Sequence, residues 1–309
     1  MRVFVTGASG WIGSAVVPEL IDAGHEVVGL ARSDAGAAAL AKAGAEVLRG
    51  TLDDLDGLRG AAAASDGVIH LAFQHDRAFS GDFEGAASTD RRVIETFAEA
   101  LAGSDRPFVI AGGALGLASG RVATEADGRD PADLAHLGGG PQARLANAQF
   151  TLGLAARGIR SSVVRLAPSV HGDGDNGFIP NVVNIAREKG VSAYIGDGAN
   201  RWPAVHRLDA ARLFRLAVEK APAGSALHGV GEEGVPLRAI AEVIGEQLDV
   251  PVVSLTPEEA AGHFTWLAGF LAVDGPASNT LTRELLGWQP TGPGLLEDIA
   301  AHYCKQPAA

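Results

Sequence analysis

The residues best placed to do chemistry come at the start of the chain. Thr6-Gly7-Ala8-Ser9-Gly10-Trp11-Ile12-Gly13 spaces three glycines at 7, 10 and 13, and that spacing suits the binding of a diphosphate. Gly7 permits a tight turn, Gly10 lets the backbone approach the phosphates, and Gly13 lets a helix pack closely on a strand. The free N–H groups of that helix then face an anion. A plain strand–helix turn also uses glycine, so the context decides. Here an apolar run, Val3-Phe4-Val5, precedes the glycines, and a second, Val27 to Leu30, follows them. The end of that second run selects the nucleotide: an acid there would hold a ribose 2′-hydroxyl, a cation a 2′-phosphate. The chain reads Leu30-Ala31-Arg32-Ser33. Arg32 offers a planar cation and Ser33 a hydroxyl, which favours NADP, while Asp34 keeps NAD open as the lesser choice.

These groups need elements to position them. Residues 2–6 read as a buried strand, and Ile12, Val16 and Leu20 mark a helix that contains Pro18, where a local bend is expected. Strands follow at 26–31, 46–48, 68–72, 107–111 and 163–166. Helices fall between them at 35–43, 53–64, 83–102 and 141–156, the first capped by Ser33 or Asp34. This alternation predicts an α/β fold with a doubly wound parallel sheet. Residues 115–140 form a long polar, glycine-rich connection, a length usually functional or mobile. After residue 170 the rhythm changes, so the chain divides into a dinucleotide-binding domain, 1–170, and a smaller substrate-binding region, 171–309, interleaved with the last sheet elements.

Composition sets outer bounds. Nearly half the 309 residues are hydrophobic, enough for a large core. A formal net charge of −12 argues against nucleic acid or an anionic membrane as partner. No apolar run approaches the ~20 residues of a membrane span, and 264–273 reads as a packed helix. The single cysteine, Cys304, allows no intrachain disulfide. With no basic leader before the first strand, a reducing, cytoplasmic setting is expected. No metal-ligand spacing such as His-x-x-x-His occurs, and no metal is expected.

The motif Thr-Gly-x-x-Gly-x-x-Gly resembles the cofactor fingerprint of the short-chain dehydrogenase/reductase superfamily, in the extended and atypical branches that include sugar-nucleotide epimerases and dehydratases. His171-Gly172, Gly196-Asp197-Gly198 with Val205-His206-Arg207-Leu208-Asp209, and Leu286-Gly287-Trp288-Gln289-Pro290 resemble further stretches of the extended branch, so the likeness covers almost the whole chain. It implies a Rossmann fold and a set of cofactor contacts: Thr51 and Leu52 toward the adenine, with Thr51 standing where the family has an acid; Ala72 and Phe73 after the fourth strand; Ala111 and Gly112 on the fifth; Ala167, Pro168 and Ser169 after the sixth. His70 is expected to be packed, and His206 and Asp209 to hold a strand–helix junction. Gly113, Tyr194, Arg201 and Trp202 are candidates to meet a small-molecule substrate. By analogy alone, the two long helices 83–102 and 141–156 would pair two copies into a homodimer.

The proton chemistry does not transfer. The superfamily uses a Tyr-x-x-x-Lys pair before the sixth strand and a Ser or Thr after the fifth. Neither tyrosine here, Tyr194 or Tyr303, has a lysine four residues on. The expected positions fall on Gly139 and Ala143 or, one residue later, on Gly140 and Arg144, and the fifth strand ends Ala111-Gly112-Gly113-Ala114. Imidazoles titrate near neutrality, so His75, His171 and His136 become the candidate proton donors. The expected function is NADP-dependent hydride transfer to or from a small organic molecule with a non-standard proton source. Epimerisation or dehydration of a sugar-like substrate, and a catalytically silent redox sensor, are the alternatives.

Overall fold

The structure is a computed structural model and describes residues 1–129 and 139–305. Its first half alternates strand and helix: β1 (Arg2–Thr6), α1 (Gly13–Asp22), β2 (Glu26–Ala31), α2 (Asp34–Lys42), β3 (Glu46–Arg49), α3 (Leu55–Ala63) and β4 (Gly67–His70). Then come α4 (His75–Phe79), α5 (Phe83–Leu101), β5 (Pro107–Gly113), α6 (Gly139–Gly153), β6 (Arg160–Leu166) and β7 (Ser169–His171). The second half holds α7 (Phe178–Lys189), β8 (Ser192–Ile195), β9 (Arg201–His206), α8 (Arg207–Lys220), β10 (Ser225–Gly229) and β11 (Glu232–Pro236). It ends with α9 (Leu237–Leu248), β12 (Val252–Leu255), α10 (Pro257–Phe264), α11 (Ala268–Leu271), α12 (Thr280–Leu286) and α13 (Leu295–Asp298).

Seven strands form one parallel sheet in the order β10-β6-β5-β4-β1-β2-β3. The chain reverses direction of travel between β1 and β4, and there a ligand crevice opens at the carboxyl ends of the strands. β1 shows why the sheet is covered on both sides. Val3 and Val5 point into the core layer shared with α1 and α8, and Phe4 into the opposite layer shared with α3 and α5. Strands buried on both faces read as unbroken apolar runs, which is what made them legible. A third core, built from α7, α9, α10, α11 and α13, supports a small sheet, β11-β9-β7, and a two-stranded one, β12-β8. β10 returns from this half to edge the main sheet.

Local signals place the helices. Ser33, rather than Asp34, caps α2 by accepting from the Gly36 amide at 3.2 Å. Pro18 lies inside α1. The expected single helix over 264–273 is broken. α10 stops at Phe264, Thr265 takes φ +52° and ψ −122°, and α11 begins after one 3₁₀ turn. No helix among the described residues is long and apolar enough to cross a membrane.

Candidate active site

The phosphate end of the crevice is set by the first glycines. Gly7 has φ +66°, and a Cβ there would stand 2.7 Å from the Ala72 amide nitrogen, so the turn after β1 closes tightly on the end of β4. A Cβ on Gly13 would stand 2.1 Å from the Gly7 carbonyl oxygen, and α1 can approach β1 only without one. Gly10 donates back to the Gly7 carbonyl at 3.0 Å, and the Trp11 and Ile12 amides have no backbone acceptor among the described residues. These open donors at a helix start fit a diphosphate. Trp11 ties the turn to the second half: its indole N–H donates to the Val170 carbonyl at 2.7 Å, and the Arg207 guanidinium lies 4.1 Å over its ring.

At the adenosine end Arg32 is 80% exposed, and its one ion pair, to Asp76, is 3.9 Å long and open to water, a contact worth little. Asp34, the residue that would suit NAD, instead accepts from Arg49 at 2.7 Å. Ser33 spends its hydroxyl on the α2 cap, and the Ser9 hydroxyl lies close to Gly36 at the same helix start. Thr51 accepts from the Asp53 amide at 3.3 Å, and Leu52 packs on the second core layer.

The nicotinamide end lies where β4, β5 and β6 finish. Ala72 and Phe73 leave β4, and Ala111, Gly112 and Gly113 close β5, with Gly113 opposite Leu166 in register. Ala167 and Pro168 link β6 to β7. Ser169, the first residue of β7, is buried with no partner for its hydroxyl among the described residues, a polar atom left open to a ligand.

Of the two alignments of the missing proton relay, the one on Gly140 and Arg144 falls on residues that meet the aromatic lining of the crevice. Gly140 sits in the first turn of α6, and a Cβ there would stand 2.3 Å from Phe83 Cβ. Phe83 and Phe73, 5.7 Å apart, fill the volume a phenol would need. Arg144, one turn on, reaches the crevice, its guanidinium 4.0 Å over the Phe73 ring. It is half-buried, and no carboxylate lies within ion-pairing distance of it among the described residues. Burial lowers its pKa, an effect opposed by the Asp90 carboxylate. A guanidinium starts so high that it stays charged.

His75 opens α4 beside this cation. Its ring meets Phe73 at 5.0 Å and stacks near Phe79 at 5.9 Å. The residue keeps an exposed edge, but desolvation by the surrounding protein and then the Arg144 charge push its pKa down to about 4. His75 is therefore a neutral imidazole at neutral pH, not the near-neutral titrating acid expected. Behind it runs a buried chain: Thr6 Oγ1 to His70 Nδ1 at 2.6 Å, His70 Nε2 to Asp90 Oδ1 at 3.1 Å, and Asn147 Nδ2 donating to Asp90 Oδ2 at 2.8 Å. Burial pushes the Asp90 carboxyl up, but His70, Arg144 and Asn147 together hold it below its usual range. This chain locks β1, β4, α5 and α6 together beneath the crevice.

Comparison with known proteins agrees with this geometry. Residues 3–228 match the NAD dependent epimerase/dehydratase family. The chain belongs to that family. An uncharacterized protein of Saccharomyces cerevisiae is 49% identical over 305 residues, spanning 98% of this chain and 99% of that protein. A 4-hydroxy-2-methyl-3-oxo-4-farnesyl-3,4-dihydroquinoline-1-oxide ketoreductase of Stigmatella aurantiaca is 26% identical over 299 residues, 94% of this chain and 88% of that one. Among solved structures, a dTDP-glucose 4,6-dehydratase of Streptomyces venezuelae with NAD and TYD bound superposes with a TM-score of 0.75 at 20% identity, covering 98% of this chain and 96% of that chain, a likeness of fold.

Within this epimerase/dehydratase scaffold several sequence candidates stand elsewhere. His171 is 1% exposed, its Nδ1 2.5 Å from the Asp298 carboxylate. It anchors α13 to β7 and is closed to a substrate. Trp202 is wholly buried against Phe178, a core residue because β9 is covered on both faces. Arg201 is bound by both carboxylate oxygens of Asp274, at 3.0 and 2.9 Å, so it is not free to clamp an anion. Tyr194 lies on β8 with Arg238 5.7 Å over its ring, across the third core from the crevice. His136 lies outside the described residues. His206 and Asp209 do hold the β9–α8 junction: the His206 side chain caps α8, and Asp209 accepts from the Thr291 and Gly292 amides. Asp90 and Asn147 were not singled out in the sequence. Their only signal there is a polar residue on the inward stripe of an amphipathic helix.

Proposed function

We propose that this family member is an NADP-dependent reductase of small organic acceptors, in which Arg144 rather than a phenol–lysine pair meets the reacting oxygen. The carrying observation is the exchange at α6: Gly140 and Phe83 at the position taken for the phenol, and at the position taken for the lysine a guanidinium with no carboxylate partner among the described residues. Oxidising an alcohol requires a base to take its proton, and neither a guanidinium nor an imidazole with pKa about 4 is matched to that task at neutral pH. Stabilising negative charge as it develops on a carbonyl or conjugated oxygen requires only a fixed donor in a dry site. Arg144, held over Phe73, is such a donor. This favours reduction of an activated acceptor over epimerisation or dehydration.

The site fits a dinucleotide through the Gly7 turn, the open amides of Trp11 and Ile12, and the orphan hydroxyl of Ser169. Bound there, the cofactor would supply the hydride. Arg32, with Arg49 neutralising Asp34, favours a 2′-phosphate over a bare ribose. Phe73 and Phe83 keep water from the nicotinamide end. His75, neutral and with one edge exposed, is placed to donate a hydrogen bond from its N–H and to pass a proton from solvent afterwards.

NADPH consumption by the purified protein across a panel of enones, quinones and activated ketones tests this reading. Turnover is expected, and Arg144→Met lowers kcat/KM by about 100-fold, the loss typical of one charge-stabilising donor. Oxidation of simple alcohols with NADP⁺, unaffected by Arg144→Met, would overturn it.

A further inference from the structure

A continuous run of aromatic rings leads out of the crevice. From Phe73 it passes through His75 to Phe79 at the end of α4. Phe79 then reaches across to the second half of the chain, where its ring lies 5.1 Å from Trp266, 6.1 Å from Phe178 and 6.4 Å from Phe270. The last three come from different elements: the start of α7, the 3₁₀ turn after α10, and α11. Phe178 is fixed from behind by the buried Trp202 at 5.6 Å. Leu115, two residues beyond β5, packs on the same third core as Phe178 and Phe270.

Two of these rings are not placed as core residues are. Phe79 is 45% and Trp266 48% exposed, an unusual amount of apolar area to leave open on two facing elements. The preceding Thr265, β-branched, has φ +52° and ψ −122°, a conformation that costs about 1–3 kcal/mol and persists where the surrounding structure over-determines it. Among the described residues, the cations beside the outer part of this wall are engaged, and the free one, Arg144, lies at its Phe73 end. Arg201 is bound to Asp274, Arg77 on α4 pairs with Asp82, and Lys189 donates to the Gly262 carbonyl at 3.1 Å. A nucleoside diphosphate would need free cations here.

We infer that Phe79, Phe178, Trp266 and Phe270 form the substrate-binding wall and that it takes a flat, apolar, conjugated ring system rather than a sugar nucleotide. The inference rests on the reductase reading above for the position of the reacting oxygen at Arg144, and it adds what the rest of the substrate must be. The rings meet one another in tilted and edge-to-face pairs at 5–6 Å, the geometry aromatic pairs prefer, so the wall holds its own shape. The ligand would lie against the exposed surfaces of Phe79 and Trp266, where the two halves of the chain meet over the crevice.

The test uses the full-length protein, with naphthalene-2-carboxaldehyde and UDP-glucose as probes, in calorimetry and by tryptophan fluorescence in the presence of NADP⁺. Of the four tryptophans, Trp202 and Trp288 are buried, so Trp266 is the main reporter at this wall. The naphthyl probe is expected to bind and to quench, and UDP-glucose to do neither at the same concentration. Phe79→Ala and Trp266→Ala each weaken the naphthyl probe by about 2- to 12-fold, the size of one stacking contact, and leave NADPH affinity unchanged within error. Phe79→Trp restores the probe. Tighter binding of UDP-glucose than of the naphthyl probe, or naphthyl binding indifferent to both alanine variants, would overturn the inference. Naphthyl binding that depends on Phe79 in a protein that takes up no NADPH would remove the reductase reading and leave the aromatic wall standing.

Discussion

Arg144 carries its charge across the whole working pH range, so its contribution to the site cannot titrate away. His75 is the group that responds to pH, and it does so far from neutrality. Its pKa of about 4 lies below the 6.5 of a free imidazole, because the charged form is desolvated and repelled by Arg144. The ring is therefore neutral above about pH 5, and kcat/KM should show no limb near pH 6.5 arising from it. NMR titration of the ring checks this: its resonance is expected to move only below about pH 5, and Arg144→Met should raise the midpoint. A midpoint unchanged in Arg144→Met would mean that the two side chains are not neighbours. Neither residue's role was fully legible in the sequence. Arg144 was reached there only as one of two positions where the family's lysine would fall, and His75 was noted for its position after a strand, with a titration behaviour that only its neighbours set.

The elements were far more legible than the residues at their ends. β1, β2, β4 and β6 announce themselves as apolar runs because both of their faces are covered. α6 shows the limit of that signal. Its apolar pattern is weak, and its decisive contact is a steric one: Gly140 against Phe83, a ring contributed by another helix some fifty-seven positions earlier. Gly140→Ala is expected to destabilise by about 1–3 kcal/mol through overpacking, lowering Tm by about 2–12 °C at the usual ~2–4 °C per kcal/mol for large domains. Thermal unfolding of the purified variant measures it. Phe83→Ala in the same background keeps the Cβ that stands nearest and should restore only the part of the loss that comes from the ring; full restoration would show that the Cβ contact is not what excludes a side chain at position 140. The break at Thr265 is the other element-scale feature hidden from sequence. The run 264–273 has the composition of one helix, and packing on the third core divides it.

At the scale of the molecule, the two halves share one crevice. Trp11 reaches to the Val170 carbonyl, Asp298 holds His171, and Phe79 touches Trp266, so ligands at the crevice should stabilise the whole chain. At 100 times its Kd, NADPH is expected to stabilise by about 2.7 kcal/mol and to raise Tm by several degrees in a thermal shift assay. In Arg32→Ala the NADPH affinity should fall by about tenfold or more, the worth of a charge-assisted contact, with NADH affinity little changed; equal losses would remove the 2′-phosphate reading. Stability should also depend on pH through His228, which is buried on β10 and donates from Nδ1 to the Ser278 carbonyl at 2.8 Å. Burial and the Arg165 charge hold its pKa at about 4, below the free 6.5. Between those values the unfolded chain binds a proton that the folded chain refuses, so this contribution is complete above about pH 6.5 and is lost as pH falls toward 4. Urea unfolding of His228→Gln should show a shallower loss from pH 7 to 4.5 than the wild-type chain, and an equal slope would assign the acid sensitivity elsewhere.

What the sequence determined by itself is the half of the protein whose physics is local. Glycines that a turn requires, apolar runs that a two-faced sheet requires, and a cation at the end of β2 are all set by neighbours within about thirty positions. What only the tertiary structure decided is which groups face one another across the crevice. Phe83 packs against Gly140, Arg144 lies over Phe73, Asp274 occupies Arg201, Asp298 occupies His171, and Phe79 meets Trp266. Each depends on two side chains far apart in the chain, and charge, desolvation and steric exclusion act through space, with no trace in residue spacing.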